Sequence, residues 1–209
     1  MSAIPLHPAR PEPAAAHDAD RRQLLMVTAG AAGIAAAATA VPFVASLAPS
    51  ERARALGASV EVDVSDIPPG GLKTVEWRGK PVWILHRTPD MLAGLPALDS
   101  ELADPASKAR QQPGYATNGH RSIKPEFLVT VGICTHLGCS PTPVREGAGN
   151  PSVGSNWKGG FFCPCHGSTF DLAGRVFKNK PAPTNLEVPA HKYLAGSRLL
   201  VGEDDSAAV

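Results

Sequence analysis

From Leu24 to Ala48 the chain carries no charged residue and is built mainly of Ala, Gly, Val, Leu, Ile and Phe. At about 1.5 Å per residue, a helix of about 25 residues crosses a hydrocarbon core of about 30 Å. The pattern therefore predicts one membrane-spanning helix, with Pro42 near its C-terminal end, where a kink or a helix terminus is tolerated. Ala-rich apolar segments behind an arginine pair also serve as cleaved export signals. The run here is long for a signal's apolar core and reads as an uncleaved anchor. Ahead of it, residues 1–20 are rich in Pro, Ala and charge with no apolar period, and are expected to form a disordered tail.

The period changes after residue 58. Ser59 to Val64 alternates as a half-buried strand should, and Leu72 to Trp77 and Val82 to Arg87 follow, joined by Arg78-Gly79-Lys80-Pro81. Together these predict an antiparallel meander. Thr88-Pro89-Asp90 sets a capping residue before a proline at the first helical position, so Met91 to Leu95 is expected to be a short helix. Leu98 to Arg121 is polar and aperiodic. Glu126 to Val131 is strand-like, Phe161-Phe162 is a second short apolar step, and Ser197 to Gly202 is expected to close the sheet. Pro141 to Gly160 has turn chemistry and reads as a loop insertion. The expected fold is an all-β domain of antiparallel sheets preceded by a single N-terminal transmembrane helix.

Composition adds little to this. A chain of 209 residues suits one domain plus appendages, and a net charge of +1 gives no reason to expect nucleic-acid binding. Pro49 to Ala58 is too short and polar to pack a core and reads as a tether, either flexible or a rigid helical extension of the span.

The cysteines carry the chemistry. All four lie in two boxes, Cys134-Thr135-His136-Leu137-Gly138-Cys139 and Cys163-Pro164-Cys165-His166-Gly167-Ser168, each with one histidine. Thiolate and imidazole hold soft or borderline metals, and Cys-x-His in one loop with Cys-x-x-His in the other presents two Cys and two His. Cys139 and Cys165 are then left over, and could tie the loops together in an oxidising compartment. A structural zinc could take the same four ligands but needs no extra cysteine pair. His7, His17, His86, His120 and His191 have no cysteine neighbours in sequence and read as surface or packing residues.

The two boxes resemble those of the Rieske iron-sulfur proteins, in particular the high-potential kind of quinol-oxidising cytochrome bc complexes, in which two His replace two Cys on one iron of a 2Fe-2S cluster. The segment from Lys180 through Pro181-Ala182-Pro183-Thr184-Asn185-Leu186-Glu187-Val188-Pro189 is similar to the proline loop that covers the cluster in that family. The resemblance implies that Cys134 and Cys163 bind one iron, that His136 and His166 bind the other, and that Cys139 and Cys165 form a disulfide. It implies hydrogen-bond donors to the sulfurs from Leu137, Gly138, Gly167 and Ser168, and a quinol hydrogen bond at His166. It implies a domain over 59–209 with a cluster-binding subdomain at about 124–180, hinged at 49–58, docking on a cytochrome b subunit and passing electrons to a c-type cytochrome in a dimeric complex.

Three further points qualify the resemblance. Arg21-Arg22 before Leu24-Leu25 resembles a twin-arginine translocation signal, so that residues 21–48 would be both signal and anchor, the tail cytoplasmic, and the cluster domain on the periplasmic side of a bacterial inner membrane. Lys180 stands where the proline loop commonly has Gly. Phe170 stands where many members have a Tyr whose hydroxyl donates to a ligand cysteine, here Cys134. Rieske-type ferredoxins and oxygenase domains usually lack the extra cysteine pair, whereas the small Rieske subunit of an arsenite oxidase shares both boxes but lacks the proline loop and long anchor.

Overall fold

A computed structural model describes residues 14–51 and 57–205. The chain forms two compact units, one N-terminal and one made of the remainder. The first is a single helix, α1 (Ala14–Ser46), which runs through Pro42 for four more residues. The stretch Asp18–Ser46 is long and apolar enough to cross a membrane. Leu25, Ile34 and Phe43 along it are exposed. The helix begins before the arginine pair, so the expected disordered tail does not extend over residues 14–20. Ala14-Ala15-Ala16 are the strongest helix formers and carry the helix backwards. Residues 1–13, and 52–56 of the expected hinge, lie outside the described residues.

The second unit holds, among the described residues, nine strands in three antiparallel sheets. Strands β2 (Leu72–Trp77), β3 (Lys80–His86) and β4 (Phe127–Val131) form the meander in that order. Its hairpin pairs Trp77 with Lys80 across Arg78 and Gly79, both at positive φ, as a two-residue turn requires. Strand β3 serves two cores at once. Val82 and Ile84 point into one with Val62, Val129 and Leu199, while Trp83 and Leu85 point into the other with Leu128, Phe161, Phe170, Cys134 and Cys163. A central strand buried on both faces reads as a continuous apolar run, which is why Val82 to Leu85 shows no alternation.

Two expectations are corrected. Strand β1 (Val60–Asp63) leaves the meander and pairs with β9 (Arg198–Val201), which also pairs with β8 (His191–Tyr193). Pro68-Pro69 cannot continue a ladder, and the turn there takes the chain to a different sheet. Within the stretch read as a loop insertion, β5 (Thr142–Val144) pairs with β6 (Gly160–Phe162), which pairs with β7 (Thr169–Phe170). Pro143 is tolerated because β5 is an edge strand, and three residues are too few for a period to show.

The short helix α2 (Pro89–Gly94) starts at Thr88, whose hydroxyl accepts from the Met91 N–H at 3.3 Å. From Leu95 to Pro125 the chain is irregular, with 3₁₀ turns at Pro96–Glu101 and Gly114–Ala116 and an isolated bridge from Leu102 to Phe177.

Candidate metal centre

Strands β4 and β6 deliver the two cysteine boxes, and the boxes fold alike. In the first, the Cys134 N–H donates to the Cys139 carbonyl at 2.7 Å and the Gly138 N–H to the Cys134 carbonyl at 3.1 Å. In the second, the Cys163 N–H donates to the Ser168 carbonyl at 2.8 Å and the Gly167 N–H to the Cys163 carbonyl at 3.0 Å. Each turn closes through a glycine four residues after the cysteine, Gly138 at φ 81° and Gly167 at φ 78°, a conformation that residues with a Cβ adopt at a cost. Cys139 and Cys165 are joined in a disulfide, their Cα atoms 6.7 Å apart, so the two turns are tied to each other.

That bond also decides which sulfurs are available. The sulfurs of Cys139, Cys163 and Cys165 lie within 4.8 Å of one another, but two of them are consumed by the disulfide. The free thiols are Cys134 and Cys163, 3% and 2% exposed. They are close enough to hydrogen-bond each other. Burial pushes the Cys134 thiol up, and Cys163 adds to this, whereas the His136 N–H and the Ser168 hydroxyl pull it down by donating to the sulfur. Such donors suit a sulfur that carries negative charge on a metal.

The imidazoles of His136 and His166 meet edge to face with centroids 4.7 Å apart. Nδ1 of His136 is buried and has no hydrogen-bond partner, while His166 is exposed. A buried ring nitrogen costs free energy unless something pairs with it, and a metal does so. Two buried thiols and two imidazoles of this kind fit a 2Fe-2S cluster with mixed ligation.

A third loop closes on the first two. The Thr135 hydroxyl donates to the Thr184 carbonyl at 2.7 Å, and Ser168 Oγ accepts from the Ala182 N–H at 3.0 Å. Its far end is held by the Glu187 carbonyl, which accepts from the Val131 N–H and the Thr130 hydroxyl, each at 2.8 Å. Pro181 and Pro183 are exposed, as is Leu137, at 71%. Phe170 is fully buried in the core that contains both free cysteines.

Of the other described histidine side chains, His86 Nδ1 lies 2.7 Å from the Ile67 carbonyl and His191 Nδ1 lies 2.8 Å from the Pro189 carbonyl. His120 Nδ1 and His191 Nε2 are also buried without a partner, but neither ring stands beside a second imidazole as His136 does, and burial and then Arg87 lower the pKa of His120. Sequence reasoning missed the role of Asn185, which accepts from the Val176 N–H at 2.9 Å and donates to the Asp104 carbonyl at 3.0 Å, locking the proline loop to the irregular segment. It also missed three buried arginines, Arg87, Arg121 and Arg175.

Comparison with known proteins gives the same reading. Residues 59–192 match the Rieske [2Fe-2S] domain, and residues 11–50 match the "Ubiquitinol-cytochrome C reductase Fe-S subunit TAT signal". The ubiquinol-cytochrome c reductase iron-sulfur subunit of Allochromatium vinosum is 58% identical over 188 residues, 90% of each chain. That of Rickettsia conorii is 43% identical over 87% of this chain and 93% of its own. The mitochondrial Rieske-1 subunit of the cytochrome b-c1 complex of Nicotiana tabacum is 45% identical over 77% of this chain, which spans 54% of that longer protein. With a free pair of buried cysteines, a facing pair of histidines and a disulfide between their loops, the chain belongs to the Rieske [2Fe-2S] proteins, among the iron-sulfur subunits of ubiquinol-cytochrome c reductases.

Proposed function

We propose that Cys134 and Cys163 hold one iron and His136 and His166 the other, and that the chain is the subunit that oxidises quinol and passes the electron to a c-type cytochrome in a respiratory cytochrome bc complex. The observation that carries the ligand assignment is the buried, unpartnered Nδ1 of His136 beside the ring of His166. The bound cluster supplies a one-electron acceptor whose neutral imidazole ligands raise its potential. The protein supplies the rest. The ring nitrogen of His166 that does not ligate would meet the quinol hydroxyl and, once it has given up its own proton, accept the quinol's hydrogen bond and then its proton, because His166 is the exposed one of the pair. Leu137, Pro181 and Pro183 form an apolar rim that excludes water and docks on the cytochrome b subunit. Ser168 and the His136 N–H stabilise negative charge on Cys134.

The helix α1 anchors the subunit in a bacterial inner membrane, N-terminus in the cytoplasm, within a dimeric complex. Placement of the cluster domain on the periplasmic side is supported by the Cys139–Cys165 disulfide, which persists in an oxidising compartment. Residues 49–58 act as the hinge, and the cluster-binding subdomain lies at about 124–180. Affinity purification of the tagged full chain from membranes tests this: a cytochrome b should copurify, and an isolated chain that still transfers electrons from a molybdenum enzyme would point to the arsenite oxidase alternative.

A further inference from the structure

Arg87, Arg121 and Arg175 are all buried, and among the described residues Asp171 is the only buried carboxylate. Arg175 takes it, Nε to Oδ2 at 2.8 Å, and reaches Asp99 at 2.8 Å as well. The other two donate to neutral oxygens. Arg87 donates to the carbonyls of Pro125, His120 and Leu172 and to the Ser122 hydroxyl. Arg121, 0% exposed, donates from Nη1 to the carbonyls of Ala173 at 3.2 Å and Gly174 at 3.3 Å. From Nη2 it donates to the Leu186 carbonyl at 2.7 Å and to Gln112 Oε1 at 3.0 Å. Burial lowers its pKa only to about 10, so it is a cation at neutral pH. Asp171 and Asp104 attract it without making a direct ion pair, and a buried cation so placed costs stability, so the arrangement asks for a use.

Its partners indicate one. Leu186 lies in the proline loop, and Ala173-Gly174 lies on the chain leaving the second cysteine box. The two are clasped by the Leu186 N–H donating to the Gly174 carbonyl at 2.8 Å. Gly174, at φ 71°, is tightly enclosed: a Cβ there would stand 3.2 Å from Arg121 Nη1 and 3.3 Å from Leu186 Cβ, in a backbone conformation that side chains rarely adopt. Ala173 and Leu186 belong to the same packed core as Cys134 and Cys163. Reduction adds negative charge to that site. A fixed cation in a low-dielectric interior favours the reduced form, with far less screening than a surface lysine would suffer.

We propose that Arg121 is a positioning residue for electron transfer: it clamps the proline loop onto Ala173 and Gly174, in the core that also holds the two free cysteines, and its buried positive charge raises the reduction potential. This rests on the iron-sulfur reading above. The test is redox titration, followed by electron paramagnetic resonance, of the full-length chain in its membrane complex, for Arg121→Met, Arg121→Lys and Gln112→Glu. Arg121→Met should shift the midpoint down and alter the line shape, and Arg121→Lys, which keeps the charge without the fork, should stay above it. Gln112→Glu leaves the clamp in place and sets a carboxylate against Nη2, losing only the amide's bonds to the Ser107 and Ala109 carbonyls, and should also lower the midpoint. If Arg121→Met does not assemble, Gln112→Glu decides alone. Wild-type midpoints in the assembled variants, or equal shifts for Lys and Met at position 121, would overturn the role of the charge. Absence of a Rieske spectrum from the unsubstituted chain would refute the iron-sulfur reading instead.

Discussion

The rings of His136 and His166 meet at 89°, centroids 4.7 Å apart, one with its Nδ1 sealed inside and the other exposed at the tip. The proposed reading gives the two chemically identical side chains different roles on the ground of this asymmetry. The rings are neighbours, but His136 is half-buried and His166 exposed, so the proposal places the substrate hydroxyl at His166.

Gly138 and Gly167 close the two turns at nearly the same φ, with no atom near where a Cβ would sit. Gly167→Ala should therefore cost backbone strain alone, about 1–2 kcal/mol. Chemical denaturation of the domain measures it, and a loss well above this would mean that the turn changes shape.

The disulfide joins cysteines 26 residues apart in sequence, and in the chain-entropy picture closing such a loop is worth about 3.5 kcal/mol. Cys139→Ser should lose about that much stability and release iron faster, with the remaining cluster still held by two Cys and two His. A structure of this variant showing the introduced hydroxyl or the Cys165 sulfur on iron would refute the division between ligand and tether.

Much of this was legible in the chain because the informative residues are rare and local. Four cysteines in two boxes, the Thr88 cap and the β2–β3 hairpin each announce themselves within a few residues. The partner of β1 did not, since pairing Val60–Asp63 with Arg198–Val201 joins opposite ends of the domain. Strand β5 hid behind Pro143. Arg121, between His120 and Ser122, looks like solvated surface, and only the fold brings the carbonyls of Ala173, Gly174 and Leu186 around it.

Phe170 fills the core beside Cys134 and Cys163 with a ring that cannot donate. Phe170→Tyr should supply a hydrogen bond to the Cys134 sulfur, draw density off it, and stabilise the reduced state. A bond of this kind is worth on the order of 1.5 kcal/mol, or on the order of 60 mV for one electron. A redox titration with unchanged midpoint and intact spectrum would show that another group, such as Ser168, already serves that sulfur.

Burial holds the His191 imidazole neutral and its pKa below the ordinary 6.5, although the Pro189 carbonyl opposes this. The unfolded chain binds this proton more readily, so His191 contributes stability above about pH 6.5 that is lost as pH falls through the lower folded value. His191→Phe should flatten the decline in unfolding free energy between about pH 7 and pH 5. Some slope should remain, because the pKa of His120 is lowered in the same direction.

The most direct measurement is the low-temperature electron paramagnetic resonance spectrum of the reduced full chain, compared with His136→Ala, His166→Ala and His86→Ala. The unsubstituted chain and His86→Ala should both give the Rieske signal, since His86 is engaged with the Ile67 carbonyl and the Phe127 ring, and both ligand variants should lose it together with quinol oxidation. Loss of the signal in His86→Ala, or its survival in His136→Ala, would contradict the assignment.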